Sequence, residues 1–386
     1  MQVIVNLFRN NIREYGMIIA LILITGLFFL LTDGVNLKPL NLTNLILQNG
    51  FILVLAVGMV LVIITGNIDL SVGSVVAFIG AVAGVLIINM GVPVWLAVVI
   101  AIVAGALIGV WQGFWISYVG IPSFIVTLAG MLIFRGLTLW LLDGKSLAPF
   151  PESFQKISSG FVPDLFQGGN IHIFTMVLSI VLSLVLIYME FSKRKNQLQY
   201  NLQVLPLWVS IVKIGLLLLV INWFAYQLAL NKGIPTVLVI ALVLIMVYTF
   251  IMKKTVMGRH IYATGGNKKA ADLSGIKTKR VVFWVFVNNG VLAALAGLMF
   301  AARLNSATPA AGNMLELDAI AAVFIGGASM AGGVGTVIGA IVGGLVMGVM
   351  NNGMSLIGIG IDWQQAIKGM VLLIAVGFDV YNKNKG

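Results

Sequence analysis

Long apolar runs separated by short polar joints fill this chain, and none alternates with the period of two that a lipid-facing strand requires. A helix needs about 20 apolar residues to cross a bilayer. The pattern predicts spans over residues 16–31, 48–65, 70–89, 94–118, 122–141, 171–191, 207–228, 235–252, 281–302, 334–353 and 363–380. A further segment, Leu317 to Ser329, is short and interrupted by Gly326-Gly327. The expected fold is all-α: one polytopic transmembrane domain over residues 1–386, with about 12 hydrophobic segments, some of them short or broken.

The joints set the orientation. With the N-terminus inside, the inner side receives Arg9, Arg13, Lys193, Arg194, Lys195, eight basic residues between Lys253 and Arg280, Lys383 and Lys385. The other side receives Lys38, Lys145, Lys156, Lys232 and Arg303. That asymmetry predicts cytoplasmic N- and C-termini, provided the short segment crosses. It leaves a long extracytoplasmic loop, 142–170, containing Pro149, Pro151 and Pro163 and able to touch an external partner.

Composition agrees with a membrane protein. Hydrophobic residues make up 60% of the chain and charged ones 9%, against roughly 25% charged in soluble domains. The first apolar stretch shows no small-residue cleavage site before Asp33, so a cleaved signal peptide is not expected. The net charge of +11 invites a nucleic-acid partner, but the basic residues cluster between spans, where topology explains them, and no nucleic acid is expected. Without cysteine, and with only His172 and His260, the chain offers no disulfide and no metal-ligand spacing. No GxSxG, HExxH or GxxxxGK[ST] motif occurs, so neither a catalytic site, a metal nor a bound cofactor is expected.

The interval 253–280 is the most distinctive joint. Asn267 suits an N-cap, Lys268 to Ser274 can make about two helical turns, and Gly275 suits a C-cap. Ala270, Ala271, Leu273 and Ile276 are expected to form one narrow face. Such a short helix is marginal alone, so the interval reads as a docking element for a separate cytoplasmic protein.

Three features inside the spans carry candidate chemistry. Ala101, Gly105, Gly109 and Gly113 recur every four residues, as do Gly335, Gly339 and Gly343; they suit helices that pack closely, either static within a subunit or across a dimer, or sliding during transport. In Thr65-Gly66-Asn67-Ile68-Asp69-Leu70-Ser71-Val72-Gly73-Ser74, polar groups interrupt two apolar runs with no room for a normal loop. Asp69 is costly facing lipid; the segment is either a tight capped turn or a broken helix whose Asn67, Asp69, Ser71 and Ser74 line a path for a polar solute. Val72-Gly73-Ser74-Val75-Val76 also resembles Val334-Gly335-Thr336-Val337-Ile338, which suggests interrupted segments in two halves. Arg135 lies deep in a span and serves either that path or neighbouring carbonyls, while Lys213 and Lys368 are expected to snorkel.

Four blocks carry a family resemblance. They are Leu55-Ala56-Val57-Gly58-Met59 with Ile68 to Ser74; Pro122 to Met131 with Phe134-Arg135-Gly136; Gly258 to Ala263 with Gly265-Gly266-Asn267 and Leu273-Ser274-Gly275-Ile276; and Asp318 to Ala322 with Ile325-Gly326-Gly327 and Gly332 to Thr336. Together they resemble the membrane subunits of bacterial sugar ABC importers of the ribose/xylose/galactose group. The extra spans around 171–228 and Asn351-Asn352-Gly353-Met354-Ser355 are most similar to the xylose branch. The resemblance implies an ABC importer permease fold in the bacterial inner membrane and a second permease copy in a dimer. It implies an extracytoplasmic sugar-binding protein that delivers a monosaccharide, and an ABC ATPase subunit that uses ATP and Mg. Gly265, Gly266, Asn267, Ala270, Ala271, Leu273, Ser274, Gly275 and Ile276 would then form the ATPase-coupling loop. A branched-chain amino-acid permease belongs to the same superfamily and is one rival. An ion-driven secondary transporter is another, and would require mid-span ionisable groups suited to ion coupling.

Overall fold

A computed structural model describes residues 12–166, 168, 169, 171–200, 204 and 206–384; Arg9 and Lys385 of the charge pattern lie outside them. The helices, in chain order, are α1 (Ile12–Leu31), α2 (Pro39–Ile64), α3 (Val72–Gly84), α4 (Val94–Phe114), α5 (Ser123–Leu141), α6 (Glu152–Ser159), α7 (Ile173–Gln199) and α8 (Leu207–Ala229). There follow α9 (Thr236–Lys254), α10 (Val256–Gly266), α11 (Lys268–Leu273), α12 (Thr278–Leu304), α13 (Leu315–Ile325), α14 (Val337–Leu356) and α15 (Ile361–Asn384). Single π-turns, Val85–Asn89 and Trp115–Val119, extend α3 and α4. Among the described residues there are only isolated bridges and no sheet. Among the described residues, nine helices are long and apolar enough to span a membrane.

α2 is the axis of the molecule. It is apolar all round and almost entirely buried, as a helix enclosed by other helices must be. It begins nine residues before the expected start at 48, because Pro39 opens the first turn and the polar Asn41 finds a partner across the bundle. Asn41 and Asn352 exchange amide hydrogen bonds, Nδ2 to Oδ1, of 2.8 and 3.0 Å.

α12 is the second pillar and packs most extensively on α4, then on α2 and α3. The small-residue stripe of α4 explains this. A Cβ at Gly105 would lie 2.4 Å from Ala294 Cβ and 2.5 Å from the Gly290 carbonyl oxygen. The backbones approach this closely because Gly105 faces Gly290 and the small Ala294, which replaces the hydrophobic drive that lipid removes. The stripes of α4 and α14 are therefore packing surfaces within one chain.

α7 and α8 form a peripheral hairpin. Asn222 donates to Ser183 Oγ at 2.8 Å and accepts from Ser179 at 3.1 Å, an interhelical pairing suited to lipid. The loop before it is pinned by Asp164, whose carboxylate accepts from the backbone N–H groups of Phe166, Gly168, Ile173 and Phe174. Desolvation pushes that carboxyl up, but the four donors prevail and hold it at about 2.

The short segment crosses in pieces. Ala307 exchanges backbone hydrogen bonds with Leu147 at the end carrying the 142–170 loop. The chain then runs without regular helix to Met314, continues as α13, and reaches the opposite, basic end. There the Gly333 N–H donates to Ile64 O at 2.8 Å. An 11-residue helix such as α13 is about 16 Å long, half the thickness of a bilayer core of roughly 30 Å. Turns and irregular chain at 305–314 and 326–336 supply the rest.

We expect Gly105→Val to destabilise the protein by about 1–3 kcal/mol through forced separation of α4 and α12. Gly136→Val, where an added Cβ meets nothing within 4 Å, leaves the melting midpoint in detergent unchanged.

Candidate functional site

Two interrupted crossings meet inside the bundle. The first is the stretch from Thr65 to Ser71, between α2 and α3; the second is the stretch from Asn305 to Met314, before α13. Backbone groups freed by unwinding must be paired internally where no water reaches. The first stretch is paired by α5: Ser123 Oγ accepts from the Ile68 N–H, and Thr127 Oγ1 donates to Ile68 O, both at 3.3 Å. The second is paired by Arg135, whose Nη1 donates to Ala311 O at 2.6 Å and to Pro309 O at 3.2 Å.

Asp69 organises the first break. Its Oδ1 accepts from the Ser71 N–H at 2.8 Å and from Ser71 Oγ at 2.6 Å, and its Oδ2 accepts from Asn289 Nδ2 at 2.7 Å. Gln112 Nε2 donates onward to Ser71 Oγ at 2.6 Å. The network ties the start of α3 to α4 and to the middle of α12, and all four side chains are buried. Gly58 leaves room for it: a Cβ there would lie 2.4 Å from Asn289 Oδ1.

The two breaks touch through glycine. A Cβ at Gly73 would lie 2.1 Å from Glu316 Oε2 and 2.4 Å from Gly312 O. At Gly312, where φ is +69°, an added Cβ would lie 2.0 Å from Gly73 O. The Ser74 Oγ, Asn289 Oδ1 and Glu316 Oε2 atoms are buried and hydrogen-bond to no other described group. Next to them, Lys368 of α15 pairs with the buried Asp318 of α13 at 3.0 Å. That corrects the expectation of snorkelling for Lys368.

The expected path residues thus divide. Asp69 and Ser71 share one network, and Ser74 follows one turn into α3. The Asn67 side chain donates to Thr65 Oγ1 at 3.0 Å and to Thr65 O at 3.2 Å, and shapes the turn. Arg135 serves the second break and makes no hydrogen bond to Asp69. The resemblance between Val72 to Val76 and Val334 to Ile338 marks two helix starts, but these starts do not meet; Gly73 faces Gly312 instead. Asn289, Gln112 and Glu316 were not singled out by the sequence, because a polar residue within an apolar span becomes informative only once its partner is known.

The basic end holds the candidate docking element. Asn267 Oδ1 caps α11 by accepting from the Ala270 N–H at 3.0 Å. Gly275, with φ +84°, closes it in a Schellman arrangement, in which Ile276 N donates to Ala271 O at 3.1 Å and Gly275 N to Asp272 O at 3.0 Å. The helix proper is six residues, shorter than two turns. Its expected single face is corrected: Ala271 is buried against the protein, Ile276 half-buried, and Ala270 and Leu273 point outward. Leu273 is 90% exposed, the most exposed large apolar side chain at this end.

α10, within the polar interval of the sequence, connects this knob to the basic ends of the two interrupted crossings. A Cβ at Gly265 would lie 1.6 Å from Ile64 O, the last residue of α2. Tyr262 Oη donates to Gly335 O at 2.7 Å, and Gly332 and Gly333 lie against Gly66, Gly265 and Gly266. The docking element therefore sits directly on the basic ends of both interrupted crossings. Among the described residues no cluster suited to hold a metal is present.

Comparison with known proteins agrees with this architecture. A family model described as branched-chain amino acid transport system / permease component matches residues 41–376. The xylose transport system permease protein of Haemophilus influenzae is 40% identical over 97% of this chain and 98% of its own length. The xylose transport system permease protein of Escherichia coli K12 is 37% identical over 97% and 93%. The ribose import permease protein of Bacillus subtilis is 34% identical over 96% and 94%. No solved structure matches the chain.

Removing the Asp69 carboxylate leaves Ser71 and Asn289 donors unpaired in a buried site. Asp69→Ala is therefore expected to cost about 1–3 kcal/mol per orphaned group. Asp69→Asn costs less, since the Asn289 amide can turn its free oxygen toward the new donor; thermal unfolding of both variants in detergent checks the order. The chain belongs to the family of membrane permease components of the branched-chain amino-acid transport type, which includes these xylose and ribose permeases.

Proposed function

We propose that this chain is the permease subunit of an ATP-driven, binding-protein-dependent importer of D-xylose or a related monosaccharide in the bacterial inner membrane. The observation that carries the mechanism is the contact of α10 with the basic ends of both interrupted crossings, through Gly265 on Ile64 at the end of α2 and Tyr262 on Gly335 in the stretch after α13. The xylose permeases align along nearly the whole of both chains, which favours a sugar over the branched-chain amino acids of the family's description.

In this reading the N- and C-termini are cytoplasmic and the basic end faces the cytoplasm. An ABC ATPase subunit, with its own ATP and Mg, grips Leu273 and its exposed neighbours; the permease itself needs no cofactor. A second permease copy completes the complex, and an extracytoplasmic sugar-binding protein delivers solute at the end carrying the 142–170 loop. Nucleotide-driven movement of α11 shifts α10, and with it the ends of the interrupted crossings. A partner can drive such a change only through different affinities for the two states. The buried oxygens of Ser74, Asn289 and Glu316 are acceptors that a sugar's hydroxyl groups meet when the breaks part, with Asp69 and Ser71 beside them.

The test is reconstitution in vesicles with the ATPase and binding protein. Uptake of labelled xylose should require ATP and should not respond to an ion gradient alone; gradient-driven uptake, or a preference for leucine over xylose, would overturn the reading. Leu273→Asp is expected to reduce both ATPase copurification and uptake at least tenfold. Gly265→Val should leave copurification intact and reduce uptake by a similar factor, because it separates α10 from α2.

A further inference from the structure

Where α4 and α12 reach the basic end, five aromatic rings form a continuous ladder. Phe114 lies 5.6 Å from Trp115 and 6.1 Å from Tyr118, Tyr118 lies 5.5 Å from Phe283, and Phe283 lies 5.5 Å from Trp284, centroid to centroid. Four of the five stand well exposed on the surface, Trp284 at 55%. Tryptophan and tyrosine settle at the membrane–water boundary, where an apolar ring and a polar N–H or O–H are both satisfied. The ladder therefore marks the depth at which these helices leave the hydrocarbon.

One turn beyond the rings, Lys277 caps the start of α12 and Lys279 and Arg280 follow in its first turn, all exposed. Arg280 and Trp284 are four residues apart and share a helix face. No acidic residue occupies the first turn of α12. The one carboxylate of this interval, Asp272, is occupied by the Thr278 hydroxyl at 2.6 Å. The surface thus combines uncompensated positive charge with an aromatic wall at one depth.

We infer that this patch binds an acidic phospholipid, its phosphate held by Arg280 and Lys279 and its acyl chains laid along Trp284 and Tyr118. The charge selects an anion, and the guanidinium fork matches phosphate oxygens in two-point contact. The rings select a ligand with a hydrocarbon tail over a free phosphate or an acidic peptide. Juxtamembrane basic clusters attract anionic lipid at about 1 kcal/mol per residue; the aromatic wall makes this cluster a defined site. The inference is independent of the cargo and of which leaflet faces the basic end.

Native mass spectrometry of the purified chain, titrated with phosphatidylglycerol or phosphatidylcholine, tests it. The wild type should retain phosphatidylglycerol at least fivefold better than phosphatidylcholine, and K279Q/R280Q should abolish that preference. K253Q/K254Q, which removes equal charge elsewhere in the interval, should preserve it. The double variant's melting point in neutral detergent should match the wild type, and the stabilisation given by phosphatidylglycerol should disappear from it. Equal retention of the two lipids, equal losses in both double variants, or loss of ATPase copurification in K279Q/R280Q without loss of lipid preference would each overturn the site. The last outcome would assign the patch to the protein partner.

Discussion

A backbone that leaves helical geometry inside a membrane must find every hydrogen-bonding partner within the protein, and the rest of this structure follows from meeting that demand twice. The break after α2 is paired by Ser123 and Thr127 from α5 and organised by Asp69. The break before α13 is paired by Arg135. Each solution is a side chain from another helix, so neither break can move without its neighbours. Glycine lets the two meet: Gly73 and Gly312 approach so closely that a methyl group on either would strike the other's backbone oxygen.

This arrangement gives a rigid frame with two adjustable seams. α2, α4 and α12 contribute close packing through small residues. The seams hold the buried polar groups, including three oxygens that bond no described partner. Protein interiors rarely leave such atoms unpaired, so their concentration at the junction of the breaks fits a place built to exchange one set of contacts for another. The connection from α11 through α10 reaches the basic ends of both interrupted crossings, at Ile64 and at Gly335. A push on the knob therefore bears on the chain where it enters the first break and where it leaves α13.

The helical class, the span positions and the knob were legible in the sequence because each is a local pattern: apolar run length, charge asymmetry, and Asn267 and Gly275 at capping distance. Local pattern also explains the misses. The start of α2 was placed late because Asn41 looks like a loop residue until Asn352 is found 311 positions away. Lys368 read as snorkelling for the same reason, its partner Asp318 being fixed by packing of α15 on α13. Ala271 was grouped with Leu273 because spacing in so short a helix does not say which side the body of the protein occupies. Asp69 and its break were visible as a conflict between cost and position. The partner that resolves the conflict, Asn289, was not.

Hydrogen exchange of the permease bound to its ATPase, with and without a non-hydrolysable ATP analogue, addresses the central claim most directly. Nucleotide should change protection at residues 65–71 and 326–336 together, as well as at 256–276. A response confined to 256–276, with 65–71 and 326–336 unchanged while the complex still turns over, would contradict the account.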